Sequence, residues 1–118
     1  MAMANLRIKR IYELPEPGDG FRILVDRVWP RGVTKEKAAI DLWMREIAPS
    51  AELRKWFGHA PERWAEFRKR YQKELEGKVD RIAELRRQAA KGPLTFVYSA
   101  RDEERNQAVV IKEMMEKG

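Results

Sequence analysis

Two short runs constrain this chain more than anything else in it. Phe21-Arg22-Ile23-Leu24-Val25 continues through Asp26-Arg27-Val28-Trp29 before Pro30-Arg31-Gly32 stops it, and its centre is continuously apolar. Such a run suits a central strand covered on both faces. Leu94-Thr95-Phe96-Val97-Tyr98 is β-branched and aromatic, short, and bounded by Pro93 and a polar loop. It is the clearest strand in the sequence. A third strand opens the chain, since Leu6-Arg7-Ile8-Lys9-Arg10-Ile11-Tyr12 largely alternates apolar and basic residues. Pro15-Glu16-Pro17-Gly18-Asp19-Gly20 breaks it, with two prolines that lack donors and two glycines free to take positive φ.

Helical signals fill the space between the second and last strands. Thr34 is placed to cap a short turn over Lys35–Ala39, and Ser50 to cap Ala51–Phe57, which Gly58 ends. The segment Ile40–Ala48 is ambiguous in period and reads as extended, because Pro49-Ser50 closes it. Pro61 suits a first turn, and Trp64, Phe67, Tyr71 and Leu75 form one stripe over Glu62–Leu75. Val79, Ile82, Leu85 and Ala89 mark a further helix that Gly92-Pro93 ends. A last helix is apolar over more than half its girth at Ala108, Val109, Val110, Ile111, Met114 and Met115. The order points to an α/β fold: a single small domain over residues 1–118, with a few-stranded, mainly parallel sheet packed by helices in two or three layers.

Composition narrows the classes. The 118 residues are one domain's worth, and 43% hydrophobic content is enough for a core. No run of roughly 18 apolar residues exists, so no membrane partner is expected. The opening residues show no apolar leader, so a cytoplasmic protein is expected. With no cysteine, disulfides, thiolate chemistry and cysteine-ligated metals are excluded. The net charge of +6 and pI near 9.8 favour phosphate-bearing partners. Yet the charge is spread evenly over both halves, and there is no basic tail. Asn occurs only at positions 5 and 106 and Gln only at 72, 88 and 107, while Glu, Lys and Arg abound. That thermophile-like composition explains the charge through ion-pair networks better than nucleic-acid binding does.

Four groups of residues are candidates for chemistry. Asp26, Arg27 and Arg31 leave the end of a buried strand, where open α/β sheets place ligand-binding side chains. The arginines suit a phosphate or carboxylate, and Asp26 suits an orienting or basic role. The alternative is a structural ion pair between Asp26 and an arginine. Ser99, Arg101, Asp102 and Asn106 lie where the last strand turns into a helix, a natural anion site. Ser99 and Asp102 equally fit a capping box, which leaves Arg101 and Asn106 unexplained. If the two strands are parallel neighbours, the two loops converge at one edge of the sheet. His59, the lone histidine, suits acid–base work or a helix C-terminal role. No metal site is expected, since no second His exists and no carboxylate stands at ligand spacing to it. The aromatics Trp29, Trp43, Trp56, Phe57, Trp64 and Tyr71 could stack bases, although Trp64, Phe67 and Tyr71 read as core. Glycine-rich phosphate loops and nucleophile elbows are absent.

Taken in order, several motifs carry a resemblance. They are Val25-Asp26-Arg27-Val28-Trp29-Pro30-Arg31-Gly32, Asp41-Leu42-Trp43, Ala48-Pro49-Ser50, Leu53-Arg54-Lys55-Trp56-Phe57-Gly58-His59, and Tyr98-Ser99-Ala100-Arg101-Asp102 with Asn106-Gln107-Ala108. Together, over nearly the whole chain, they resemble the YeaO-like family, within the group called domain of unknown function 488. The resemblance implies a small single-domain α/β protein with no established activity. Longer members of the group resemble the chain at the Val-Asp and Pro-Arg positions but carry Cys and His near the last strand–helix junction. Arg105-Asn106 stand thereabouts here, so thiol-based chemistry does not transfer. The resemblance makes Asp26, Arg27, Arg31, His59, Asp102 and Asn106 site candidates.

The expected function is a site for an anionic or nucleotide-like small molecule between the loops after the second and last strands. Arg27, Arg31 and Arg101 would bind charge, Asp26 would orient or act as base, and Asn106 would add a hydrogen bond. No cofactor is implied. Two readings compete: a nucleic-acid-binding module using arginine-rich helical faces and an exposed Trp, and an interaction domain whose polar cluster is structural. The first reading requires a concave pocket that gathers these residues.

Overall fold

A computed structural model describes residues 5–117. Residues 1–4 and 118, the ends of the expected 1–118 domain and the start of the segment read for a leader, lie outside them. Four strands form one sheet: β1 (Leu6–Arg10), β2 (Phe21–Leu24), β3 (Leu42–Trp43) and β4 (Leu94–Tyr98). Their order is β1-β4-β2-β3 and every pairing is parallel. The two apolar runs are therefore the two inner strands. All five residues of β4 are buried, and Ile23, Leu24 and Val25 are fully covered.

Side chains alternate across the sheet as the pleat dictates. Leu94, Phe96 and Tyr98 join Ile23, Val25 and Leu6 in the main core, beneath α2 (Ala51–Phe57), α3 (Trp64–Glu76), α4 (Val79–Lys91) and α5 (Gln107–Glu116). Leu24 and Val97 face the other way. There a smaller cluster forms with Ala38 of the single-turn helix α1 (Lys35–Ala38), and with Trp29, Val33, Ile40 and Trp43. The register is anchored where β2 begins: Phe21 N–H donates to Pro93 O at 2.9 Å. Gly20 has φ +65°, and a Cβ there would stand 2.2 Å from that same carbonyl oxygen, so only glycine fits.

Helix ends follow their capping residues. Thr34 Oγ1 accepts from Lys37 N–H, and Ser50 Oγ accepts from Leu53 N–H at 3.1 Å. Gly58 closes α2 in the left-handed region. Several expectations are corrected. The second strand does not run to Trp29. Val25 makes its last ladder bond, to Val97 O at 3.0 Å, and Trp43 then holds the chain away by donating its indole N–H to Asp26 O at 2.7 Å. Within Ile40–Ala48 only Leu42–Trp43 is strand. Arg45–Ile47 is a 3-10 turn that buries Ile47 in the helical core. Pro61–Arg63 is also a 3-10 turn, so α3 begins at Trp64. On α4 only Leu85 is fully buried, and Val79 stands 68% exposed, because the helix meets the core along a narrow strip. No helix among the described residues is long and apolar enough to cross a membrane.

Candidate functional site

Because β2 and β4 are parallel neighbours, the chain leaves both at the same edge of the sheet, beside the start of α5. A cavity of about 740 Å³ opens there. Its wall includes all eight side chains singled out from the sequence: Asp26, Arg27, Arg31 and His59, with Ser99, Arg101, Asp102 and Asn106. The size suits a ligand of drug or nucleotide dimensions.

Asp26 is 8% exposed and forms the floor. Its Oδ2 accepts from the Ser99 hydroxyl at 2.5 Å and its Oδ1 from the Gln107 amide at 2.6 Å. No arginine or lysine forms an ion pair with it among the described residues, so the alternative of a structural pair with Arg27, Arg31 or Arg101 is not seen there. Burial pushes its carboxyl above the usual value near 3.8. The Ser99 and Gln107 hydrogen bonds and the distant Arg54 charge offset that only in part.

The arginines divide into braces and free forks. Arg27 is half-buried and donates to Pro49 O at 3.0 Å and to Ala48 O at 3.3 Å, holding the wall that follows β3. Tyr71 and Lys78 hold the same wall through Ile47 O and Ala48 O, at 2.6 and 2.9 Å. Arg10 braces the opposite wall, donating to Ala100 O at 2.9 Å and Ser99 O at 3.3 Å. Arg105 pairs with Asp102 at 3.1 Å. Arg31, Arg54 and Arg101 are exposed at the rim, and their guanidinium groups have neither a hydrogen bond nor an ion pair among the described residues.

The loop after β4 departs from its expected wiring. Ser99 and Asp102 form no capping box, because α5 starts later, at Gln107. Asn106 is the cap: its Oδ1 accepts from Val109 N–H at 3.2 Å and its Nδ2 donates to Asp102 O at 2.9 Å. Asn106 lines the cavity at 2% exposure, with its oxygen and its amide nitrogen both engaged in the helix end and the loop. Asp102 folds the loop, accepting from Glu104 and Arg105 N–H, and the Glu104 contact leads in holding its carboxyl below the ordinary range. His59 is exposed, at φ +58°, just past the α2 cap, 6.2 Å from the Phe57 ring. No hydrogen bond joins it to Asp26 among the described residues.

Sequence reasoning did not assign Gln107, Arg54 or the apolar wall to this crevice, although Arg54, Phe57 and Gln107 stand in the motifs quoted above. Phe57 and Phe67 stack at 4.4 Å between ring centres and line the cavity from the core side. Arg54 could have been found from its position three residues before Phe57, on the same side of α2. Gln107 stood in the Asn106-Gln107-Ala108 motif, but no local pattern gave it a role at the site. None of the four tryptophans is fully exposed: Trp29 packs edge-on to Trp43 at 5.5 Å, and Arg45 and Arg70 cover Trp43 and Trp56. Among the described residues no three His, Cys, Asp or Glu side chains converge to hold a metal ion.

A family model described as the inactive DUF488-N3 subclade matches residues 5–118. The uncharacterised protein YeaO of Escherichia coli K12 is 45% identical over 116 residues, covering 94% of this chain and 96% of its own. An uncharacterised protein of Mycobacterium tuberculosis (strain H37Rv) is 41% identical over 111 residues, covering 94% and 93%. A protein of Mycobacterium bovis, also uncharacterised, matches to the same extent. No solved structure gives a significant match.

Proposed function

The chain belongs to the YeaO-like DUF488 proteins, in the subclade described as inactive, and from that premise we propose that its crevice binds an anionic, nucleotide-like small molecule without turning it over. One observation carries the reading: three unpaired arginines, Arg31, Arg54 and Arg101, stand at the mouth of a cavity whose floor carboxylate is held by neutral donors. Arginines elsewhere in the fold mostly have a carboxylate or carbonyl partner, as in Arg68–Glu113 and Arg70–Glu66 at 2.9 and 3.0 Å. Guanidinium groups left free around a concavity suit a phosphate or carboxylate that arrives from solution. Arg27 contributes charge while bracing the wall, and Ser99 and Gln107 orient Asp26. Acid–base turnover would call on Asp26 and His59 together. The exposed imidazole and the buried carboxylate are not joined, which fits binding alone.

The test is a thermal-shift series with nucleoside phosphates and other phosphorylated metabolites, on the parent and on the Arg31→Ala/Arg101→Ala double variant. A ligand present at 100 times its Kd stabilises by about 2.7 kcal/mol. At least one nucleotide should raise the midpoint of the parent and not that of the double variant. If no anion shifts the parent, the reading fails.

A further inference from the structure

The cavity is built with two unlike ends. Its rim carries the free guanidinium groups of Arg31, Arg54 and Arg101, all exposed. Its floor carries the buried Asp26 carboxylate and the half-buried Gln107 amide. Between them lies the apolar wall that Phe57 and Phe67 present from the core. An anion seated on the floor would meet a like charge in a poorly solvated place, so the phosphate of a ligand belongs at the rim.

Hydrogen-bond capacity at the floor specifies the other end of the ligand. Ser99 and Gln107 each donate to one oxygen of Asp26, an arrangement that keeps the carboxylate an acceptor. The Ser99 backbone N–H also supports this carboxylate, at least one of its lone pairs remains open, and Gln107 Oε1 has no protein donor among the described residues. Gln107 Nε2 keeps one N–H beyond the one it gives to Asp26, so the floor offers more acceptors than donors and favours a group rich in N–H. Resting on the binding role proposed above, we infer that the crevice takes a nucleoside monophosphate in one orientation. The phosphate sits on Arg31, Arg54 and Arg101, the base lies along Phe57 and Phe67, and an exocyclic amine donates to Asp26 and Gln107. A base that presents a carbonyl in place of the amine sets oxygen against the Asp26 carboxylate, has only the remaining Gln107 N–H to accept from, and binds more weakly.

Calorimetric titration of the full-length chain with cytidine monophosphate, uridine monophosphate, cytidine and ribose 5-phosphate separates the two ends. Cytidine monophosphate should bind at least about tenfold more tightly than uridine monophosphate, because the latter leaves buried acceptors unpaired. Arg31→Ala/Arg101→Ala should weaken cytidine monophosphate and ribose 5-phosphate while leaving cytidine unchanged. Asp26→Asn should erase the preference for the cytosine base without weakening ribose 5-phosphate. Gln107→Met should reduce the preference in the same direction, so the inference stays open to refutation even if one variant misfolds. Equal affinity of the parent for the two monophosphates, with dependence on the rim arginines retained, overturns the orientation and leaves the binding role standing. Failure of the parent to bind any of the four overturns this inference, and the binding role falls with it if no anion shifts the parent in the thermal series.

Discussion

Asp19 and Asp26 stand on either side of β2, at 1% and 8% exposure, and the fold surrounds them with opposite chemistry. Asp19 is enclosed by cations: Arg22 at 2.6 Å, Lys9 at 3.2 Å and, farther out, Arg7 at 4.0 Å. Arg22 spends its remaining donors on Ala38 and Ala39 carbonyls, and Thr95 donates to Asp19 O at 2.7 Å. Every polar group there has a partner inside the protein. Asp26, beyond the other end of the strand, receives the Ser99 hydroxyl and backbone N–H and the Gln107 amide but no cation, although arginines stand nearby without partners. Burial acts on both carboxyls. At Asp19 its upward push is outweighed by the Glu16 backbone N–H, Lys9 and Arg22, and the group falls below the ordinary value. At Asp26 burial prevails and the group rises. A buried charge matched within the chain serves the fold, whereas a buried charge left beside unmatched cations leaves capacity for something else.

The contrast can be broken by substitution. Asp19→Asn strands Arg22 and Lys9, both largely buried, without their shared counter-charge. Loss of one partner from such a cluster should cost about 3–5 kcal/mol, read from the urea midpoint at neutral pH. A loss under 1 kcal/mol would mean that the carbonyls around Arg22 suffice without the aspartate.

Acid sharpens the same contrast, because the two shifts have opposite signs in linkage. The folded-state value of Asp19 is depressed, so its stabilisation is complete above about 4 and is lost as the pH falls through the folded value. Asp26 is raised, so the folded state takes up its proton first. Stability gains from this group as the pH falls from its folded value towards about 4. Urea midpoints followed from pH 7 into strong acid should therefore show the deficit of Asp19→Asn shrinking only below the ordinary carboxylate range. Any advantage of Asp26→Asn should vanish at a higher pH than that.

The smallest effect belongs to Asp26→Asn at neutral pH. The asparagine carbonyl can still accept from Gln107, and its NH2 can donate to Ser99 Oγ if that hydroxyl turns. The midpoint should stay within about 1 kcal/mol of the parent, or rise. A loss of several kcal/mol would make Asp26 as structural as Asp19.

The sequence made the crevice legible and the Asp19 cluster nearly invisible, for physical reasons. Convergence of the Asp26 and Ser99 loops follows from two apolar runs being parallel neighbours, and both runs announce themselves through their residues. Capping residues such as Thr34, Ser50 and Gly58 act locally, so their roles could be read in place. Pairing of Asp19 with Lys9 depends on β1 and β2 flanking β4, a long-range fact that no local pattern encodes. Arg22 interrupts an apolar run, and that interruption was the available signal for a buried partner. The capping role of Asn106 could not be read in place, because a cap and a ligand-binding amide look alike until the first helical residue is known. Gln107 was missed because its role exists only when α5 is docked on the sheet beside β2.

Side-chain carboxyl NMR of the two aspartates, followed against pH with and without cytidine monophosphate, tests the distinction in one experiment. Asp26 should titrate above the ordinary aspartate range and Asp19 below it. Added nucleotide should move the Asp26 resonance and leave that of Asp19 in place. If the order is reversed, or the nucleotide moves neither carboxyl, Asp26 is not the floor of a ligand site.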